Sequence, residues 1–291
     1  MAVDALRIAH PEMTTAEVAC PLCGRDGGAP FHEESGWRLL RCPTCSFYYV
    51  SPRPDGPSLR RHYRDYLPTA DEEIADWDRM MAGIHRWVIR QLRKQIGRGR
   101  VLDVGCGFGF LLRELREWGF GVEGIDISPT ALRHARDVLT LPVREGTLET
   151  SEFEPGSFDA VTALYVIEHV PDPRGLMRQI HRLLRPGGVI LLRWPHTTPL
   201  VRILRPLGVD LRLYDLPSHL SDFSPRTMRL ALEQEGFRSI RTGIGGWTLP
   251  RERWKRWPSR MGGACAEGIA LLTAGHLLLP GVSKTTIATR E

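Results

Sequence analysis

The 291-residue sequence contains no run approaching the ~18 consecutive apolar residues that a membrane-spanning helix requires. It has no internal repeat and no low-complexity tract, and Met1 to Arg7 lack the basic-then-apolar order of a secretory signal. A cytoplasmic protein is the expectation. Cysteine is scarce: six residues in a chain this long do not make a disulfide framework. The excess of one sign of charge is also small, with 39 basic against 34 acidic residues. A net charge of +5 permits an acidic partner such as nucleic acid, a phosphorylated glycan or an anionic membrane, without selecting one. Apolar residues, by contrast, make up 42% of the chain, enough for one α/β domain and a smaller module, which sets disorder aside.

Four of the six cysteines are paired. Cys20-Pro-Leu-Cys23 and Cys42-Pro-Thr-Cys45 are C-x2-C knuckles with 18 residues between them. Two such turns aim four sulfurs at one point, a tetrahedral set that suits Zn²⁺; a redox dithiol or an iron site is the alternative. Because no ligand position is left open, a zinc here is structural, and its binding supplies folding free energy that so short a module lacks. Residues 31–41 read as two short strands around a turn, the plan of a zinc ribbon. Cys106 and Cys265 lie apart and read as packing residues.

The prolines and glycine of Val50 to Pro57 favour an extended connector. The expected division is therefore a ribbon and connector over 1–57, a helical linker or lid over 58–99, an α/β domain over 100–250 with an insertion at 196–222, and a tail over 251–291. In the linker, Trp77, Met80, Met81, Ile84, Trp87, Val88, Leu92 and Ile96 fall at helical spacing. His62, Tyr63 and Tyr66 read as core, with substrate contact as the alternative. From Arg100 strands and helices alternate, which predicts a doubly wound, mostly parallel sheet whose ligands sit at the strands' carboxyl ends.

The most informative stretch is Val101-Leu-Asp103-Val-Gly105-Cys106-Gly107-Phe-Gly109, an apolar strand followed by three alternate glycines and the start of a helix. A strand that turns sharply into a helix beside a ligand needs residues without Cβ. The next strand ends in Asp126-Ile127, where an acid is placed to hold two ribose hydroxyls. This D-x-G-x-G-x-G loop with its following acid resembles class I S-adenosylmethionine-dependent methyltransferases. The resemblance extends from about Val18 to Phe237. Its knuckles, the run Tyr49-Val-Ser-Pro-Arg-Pro54 and the segment Pro217-Ser-His219-Leu are like those of relatives from glycan and secondary-metabolite clusters.

That resemblance implies a seven-stranded Rossmann-like sheet and S-adenosylmethionine held by Asp103, Gly105, Cys106, Gly107, Gly109, Asp126 and Ile127. Thr147 and Leu148 would frame adenine, with Thr147 where an aspartate is more common, and Leu164 and Tyr165 would follow on the fourth strand. Methyl transfer is an in-line displacement that mainly requires positioning; a base is needed only where the acceptor loses a proton. His169 is a candidate base, or else closes over the cofactor. His219 stands beside it as base or orienting group, and Glu168 orients or caps. The implied acceptor is a small molecule or glycan, first a sugar hydroxyl or carbon, with ribosomal RNA the rival and a non-catalytic scaffold a third reading. Against RNA, the basic residues are dispersed and an Asn/Asp-Pro-Pro-aromatic segment is missing. In the tail, aromatics and basic residues over 245–257 precede a largely apolar stretch, read as a packed helix, a peripheral membrane contact at the inner face or a dimer contact. Thr285 to Thr289 is expected to end the sheet antiparallel near Ser239 to Thr242. The acceptor atom and the oligomeric state are not legible.

Overall fold

The computed structural model describes residues 13–64, 66–209, 212–249, 253–273, 278–279 and 283–291, without the side chains of 253–256, 258, 260 and 271. The sequence readings that fall on Met1 to Arg7, on the 250–252 junction and on the charged and aromatic side chains of 253–256 lie outside the described residues.

In chain order the elements are β1 (Thr15–Ala16), β2 (Ala29–Glu34), β3 (Trp37–Arg41), β4 (Tyr48–Val50), β5 (Arg53–Pro54), α1 (Gly56–Arg64), α2 (Asp71–Ile96), β6 (Arg100–Val104), α3 (Phe110–Glu117), β7 (Gly121–Asp126) and α4 (Pro129–Arg133). There follow β8 (Val143–Glu145), β9 (Phe158–Leu164), α5 (Pro173–Leu183), β10 (Leu184–Trp194), α6 (Thr198–Leu204), β11 (Ser221–Asp222), α7 (Pro225–Gln234), β12 (Phe237–Gly243), α8 (Arg253–Leu272) and β13 (Lys284–Arg290). Seven strands form one sheet in the order β12-β13-β10-β9-β6-β7-β8. From β10 to β8 all pairs are parallel, and β13 runs antiparallel between β10 and β12, with Thr242 opposite Thr286. The strand order reverses between β6 and β9, so the crevice lies past Val104 and Leu164, at the carboxyl ends.

Helix starts are set locally. Asp172, Ser128 and Ser224 accept backbone N–H groups at the first turns of α5, α4 and α7, each followed by proline. The long α2 buries Met81, Ile84, Val88, Ile89 and Leu92 against Leu111, Leu115 and the sheet, as its spacing predicts. At Arg185 to Gly188, where a turn is expected before the fifth parallel strand, β10 instead begins at Leu184 and bulges, its partner advancing from Phe158 only to Ala160 while it passes to Val189. The α8 tail helix packs Ala266 and Ala270 against Ile244. No helix among the described residues is long and apolar enough to cross a membrane.

The cysteine module does not stand free of the large sheet. Its own sheet, β11-β4-β3-β2, takes its edge strand from the far insertion, and Cys20, Leu22, Cys42 and Phe47 share one core with Leu176, Met177 and Phe223. A sheet so small gains its burial from the larger body.

Candidate active site

The glycine loop leaves β6 through Gly105 (φ 69°), Gly107 (φ 49°) and Gly109 (φ 81°). At Gly105 a Cβ would collide with Val166 Cγ2, so the loop after β9 lies directly on the loop after β6. At Gly107 the one atom within 4 Å of a built Cβ is Leu67 Cδ1, at the packing distance of 3.7 Å, so only a side chain faces the main chain on that side. Asp126 braces the loop: its carboxylate accepts from Gly107 N–H at 2.8 Å and from Ser128 N–H at 2.8 Å, and burial raises its pKa. Each oxygen retains a lone pair for a further hydroxyl.

The other residues read as cofactor contacts fall around this turn in different ways. Asp103 is buried under it, accepts from Thr162 Oγ1 at 2.6 Å, and is pushed up to about 7 by burial. Cys106 turns its thiol into a cluster with Leu112, Leu132, Ala135 and Leu141. Ile127 follows the bracing acid and is half-buried, whereas Leu148 is buried in the main core. Thr147 donates its hydroxyl to Glu149 at 2.8 Å. Leu164 ends β9, and Tyr165, at φ 58°, sends its hydroxyl away to Arg193 Nε (2.8 Å) and Ser283 Oγ (3.2 Å). Arg193, which sequence reading missed, is 2% exposed and donates to the carbonyls of Ile244, Gly245 and Gly246.

Opposite the loop, the structure brings together Glu168, His169 and His219, whose ligand-type atoms all lie within 4.8 Å of one another. Their segments are joined by Leu220 N–H donating to Glu168 O at 2.8 Å. His169 Nδ1 lies 2.9 Å from Ser218 O, an acceptor, which makes Nδ1 the protonated nitrogen and leaves the Nε2 lone pair free. Tyr63 also donates to Ser218 O. The Tyr63 and Tyr66 rings stand 5.3 and 5.9 Å from the His169 ring, and His219 stands 4.8 Å from it. Tyr63 of α1 and Tyr66, past its end, therefore cover the His169 ring; their spacing of three residues is the signal that could have shown this. Burial pushes His169 down to about 3, with His219 adding to the shift, and pushes His219 down to about 4; it raises Glu168 to about 8. Both imidazoles are thus neutral near pH 7.

Cys20 and Cys45 hold their sulfurs 3.5 Å apart, Cys23 and Cys42 3.6 Å. An S4 tetrahedron with Zn–S bonds of ~2.3 Å has edges of about 3.8 Å, so the four thiols fit that ion. Each knuckle is tied by the same turn, Gly24 N–H to Cys20 O and Ser46 N–H to Cys42 O. The module also reaches both histidine segments: Val50 N–H donates to Leu220 O at 2.9 Å, and Arg53 Nη1 to Pro171 O at 3.0 Å.

A parallel sheet reversing at a glycine turn, with an acid at the neighbouring strand tip, defines a nucleoside-cofactor enzyme of the Rossmann-like class. Residues 75–242 match the family described as "Methyltransferase domain", and the chain belongs to that family. It is 37% identical over 130 residues to the ubiquinone biosynthesis O-methyltransferase of Pseudomonas aeruginosa (strain LESB58), a match covering 43% of this chain and 56% of that protein. The chain thus spans little more than half the length of that curated relative. Among solved structures, the fold is like Haemonchus contortus phosphoethanolamine N-methyltransferase 2 (TM-score 0.54, 16% identity, 89% of this chain and 71% of that one). It is also like a chain from the complex of the Haloferax volcanii Trm112 methyltransferase activator and the putative methyltransferase (TM-score 0.52, 17% identity, 79% and 96%).

Proposed function

We propose that the chain is an S-adenosylmethionine-dependent methyltransferase acting on an oxygen of a small-molecule acceptor. The observation that carries this is the meeting, across one crevice, of a glycine turn braced by Asp126 and two neutral imidazoles delivered by separate segments. The glycine turn and the spare lone pairs of Asp126 fit the cofactor, with the turn against its methionine part and Asp126 at its ribose. When bound, the cofactor supplies an electrophilic sulfonium methyl. The chain's own residues position the acceptor: His169 and His219 face its oxygen, to orient it or take its proton, Glu168 orients, and Tyr63 and Tyr66 exclude water above them. The name of the Pseudomonas relative supports an oxygen acceptor, and the Pro-x-His-Leu segment supports a sugar hydroxyl as its first form. The four thiolates hold a structural Zn²⁺.

The test is turnover of labelled S-adenosylmethionine with two acceptor panels, sugar nucleotides and hydroxylated aromatics, and with bulk RNA at two salt concentrations. Methylation of a small-molecule hydroxyl is expected, with a flat RNA response. Salt-sensitive RNA binding with RNA methylation would overturn the reading.

A further inference from the structure

We infer that Glu168, His169 and His219 form a divalent-cation site in the acceptor chamber, with the acceptor's oxygen as a further ligand. This rests on the methyl-transfer reading and decides between the two roles left to the imidazoles, in favour of orienting.

The argument begins with an unmet need. Glu168 is 1% exposed, and neither carboxylate oxygen has a hydrogen-bond partner on another described residue. A buried carboxyl group in that state is costly unless a guest meets it. The groups nearest to it bring no hydrogen. His169 spends its Nδ1–H on Ser218 O, and an imidazole nitrogen of His219 is bonded to the Tyr214 backbone carbonyl. The hydroxyls of Tyr63 and Tyr66 go to Ser218 O and Asp215. Once a binding cation displaces the Glu168 proton, what converges is three electron-pair donors. A histidine that anchors one ring nitrogen on a backbone carbonyl and frees the other has the outer-shell arrangement of metal-ligating histidines.

Geometry agrees. Ligands at ~2.1 Å from one ion stand at most about 4.2 Å apart, so atoms within 4.8 Å need close by no more than about 0.6 Å. Two imidazoles and a carboxylate with open positions suit a first-row divalent ion such as Mn²⁺, Fe²⁺, Co²⁺ or Zn²⁺. A second cluster, Asp78, His85 and Glu114, shows the contrast: there Arg113 already supplies the positive charge, with Nη2 3.1 Å from Asp78 and 3.9 Å from Glu114. Glu168 has no such neighbour in any ion pair of the described residues.

The experiment titrates Mn²⁺ into the zinc-loaded full chain by calorimetry and follows Co²⁺ by its visible ligand-field absorption, with S-adenosylhomocysteine binding measured in parallel. One equivalent of ion beyond the thiolate zinc is expected. Glu168→Gln and His219→Gln should each weaken it by more than about tenfold, the loss that even outer-shell partners cause, while S-adenosylhomocysteine still binds. Absence of Mn²⁺ and Co²⁺ binding in a chain that binds S-adenosylhomocysteine would overturn the site, as would ion binding unchanged in both variants. Failure of the unmodified chain to bind S-adenosylhomocysteine would overturn the methyl-transfer reading instead, and with it the ion's role.

Discussion

Gly105 and Asp103 show how much single residues at a strand tip decide. An alanine at Gly105 must adopt φ 69° and push Val166 aside, so Gly105→Ala should cost about 2 kcal/mol in chemical denaturation and weaken S-adenosylhomocysteine binding. Adding Val166→Ala should restore part of the loss; strict additivity in that double-mutant cycle would contradict the contact. Asp103 carries a pH prediction. Burial holds its carboxyl at about 7, above the ordinary 3.8, so between these limits the folded chain keeps a proton that the unfolded chain has released. Its contribution to stability is complete below pH ~3.8, is lost as pH rises through ~7, and is constant above. Asp103→Asn removes that dependence, and the stability of the unmodified protein relative to the variant should fall across this window. A relative stability that climbs with pH would refute it. The glycines, the bracing acid and the four cysteines were all legible, because spacing alone encodes a turn or a knuckle. Arg193 was not, since a basic residue in an apolar strand gives no sign of the three carbonyls waiting for it. Arg193→Met should strip those carbonyls and destabilise the fold by at least ~3 kcal/mol in thermal or denaturant unfolding.

Elements were legible where pattern is local and long. The apolar face of α2 and the β6-turn-α3 unit stand in the sequence because a pattern runs over several residues, whereas the final strand at 284–290 was expected from the family resemblance. Two-residue β11 has no such pattern, and its pairing with β4 across more than 170 residues is set by tertiary packing. That pairing ties the cysteine module to the His219 segment, and Arg53 ties it to the segment after His169. Under the proposed function, the module would clamp the acceptor side. A Cys42→Ser/Cys45→Ser variant should lose its thiolate-bound zinc and melt at a lower temperature. It should lose acceptor-dependent turnover while still binding S-adenosylhomocysteine. Full turnover in a zinc-free variant would show that the clamp is dispensable.

At the scale of the whole molecule, the order of seven strands places the glycine turn, Asp126 and the Glu168–His169 segment at the carboxyl-end edge of the parallel strands, around the adjacent pair β6 and β9 where the order reverses. The alternation of strands and helices made that edge foreseeable; which tyrosines and histidines would face one another over it depended on long-range packing that no local pattern records. The central claim is that the turn after β6 seats the sulfonium nucleoside. Calorimetric titration of S-adenosylhomocysteine into the full chain and into its Asp126→Ala variant tests this most directly. One molecule should bind per chain at micromolar affinity, weakened at least ~10-fold in the variant, the value of a hydrogen bond to a charged group. No heat of binding, or equal affinity in both proteins, would contradict it.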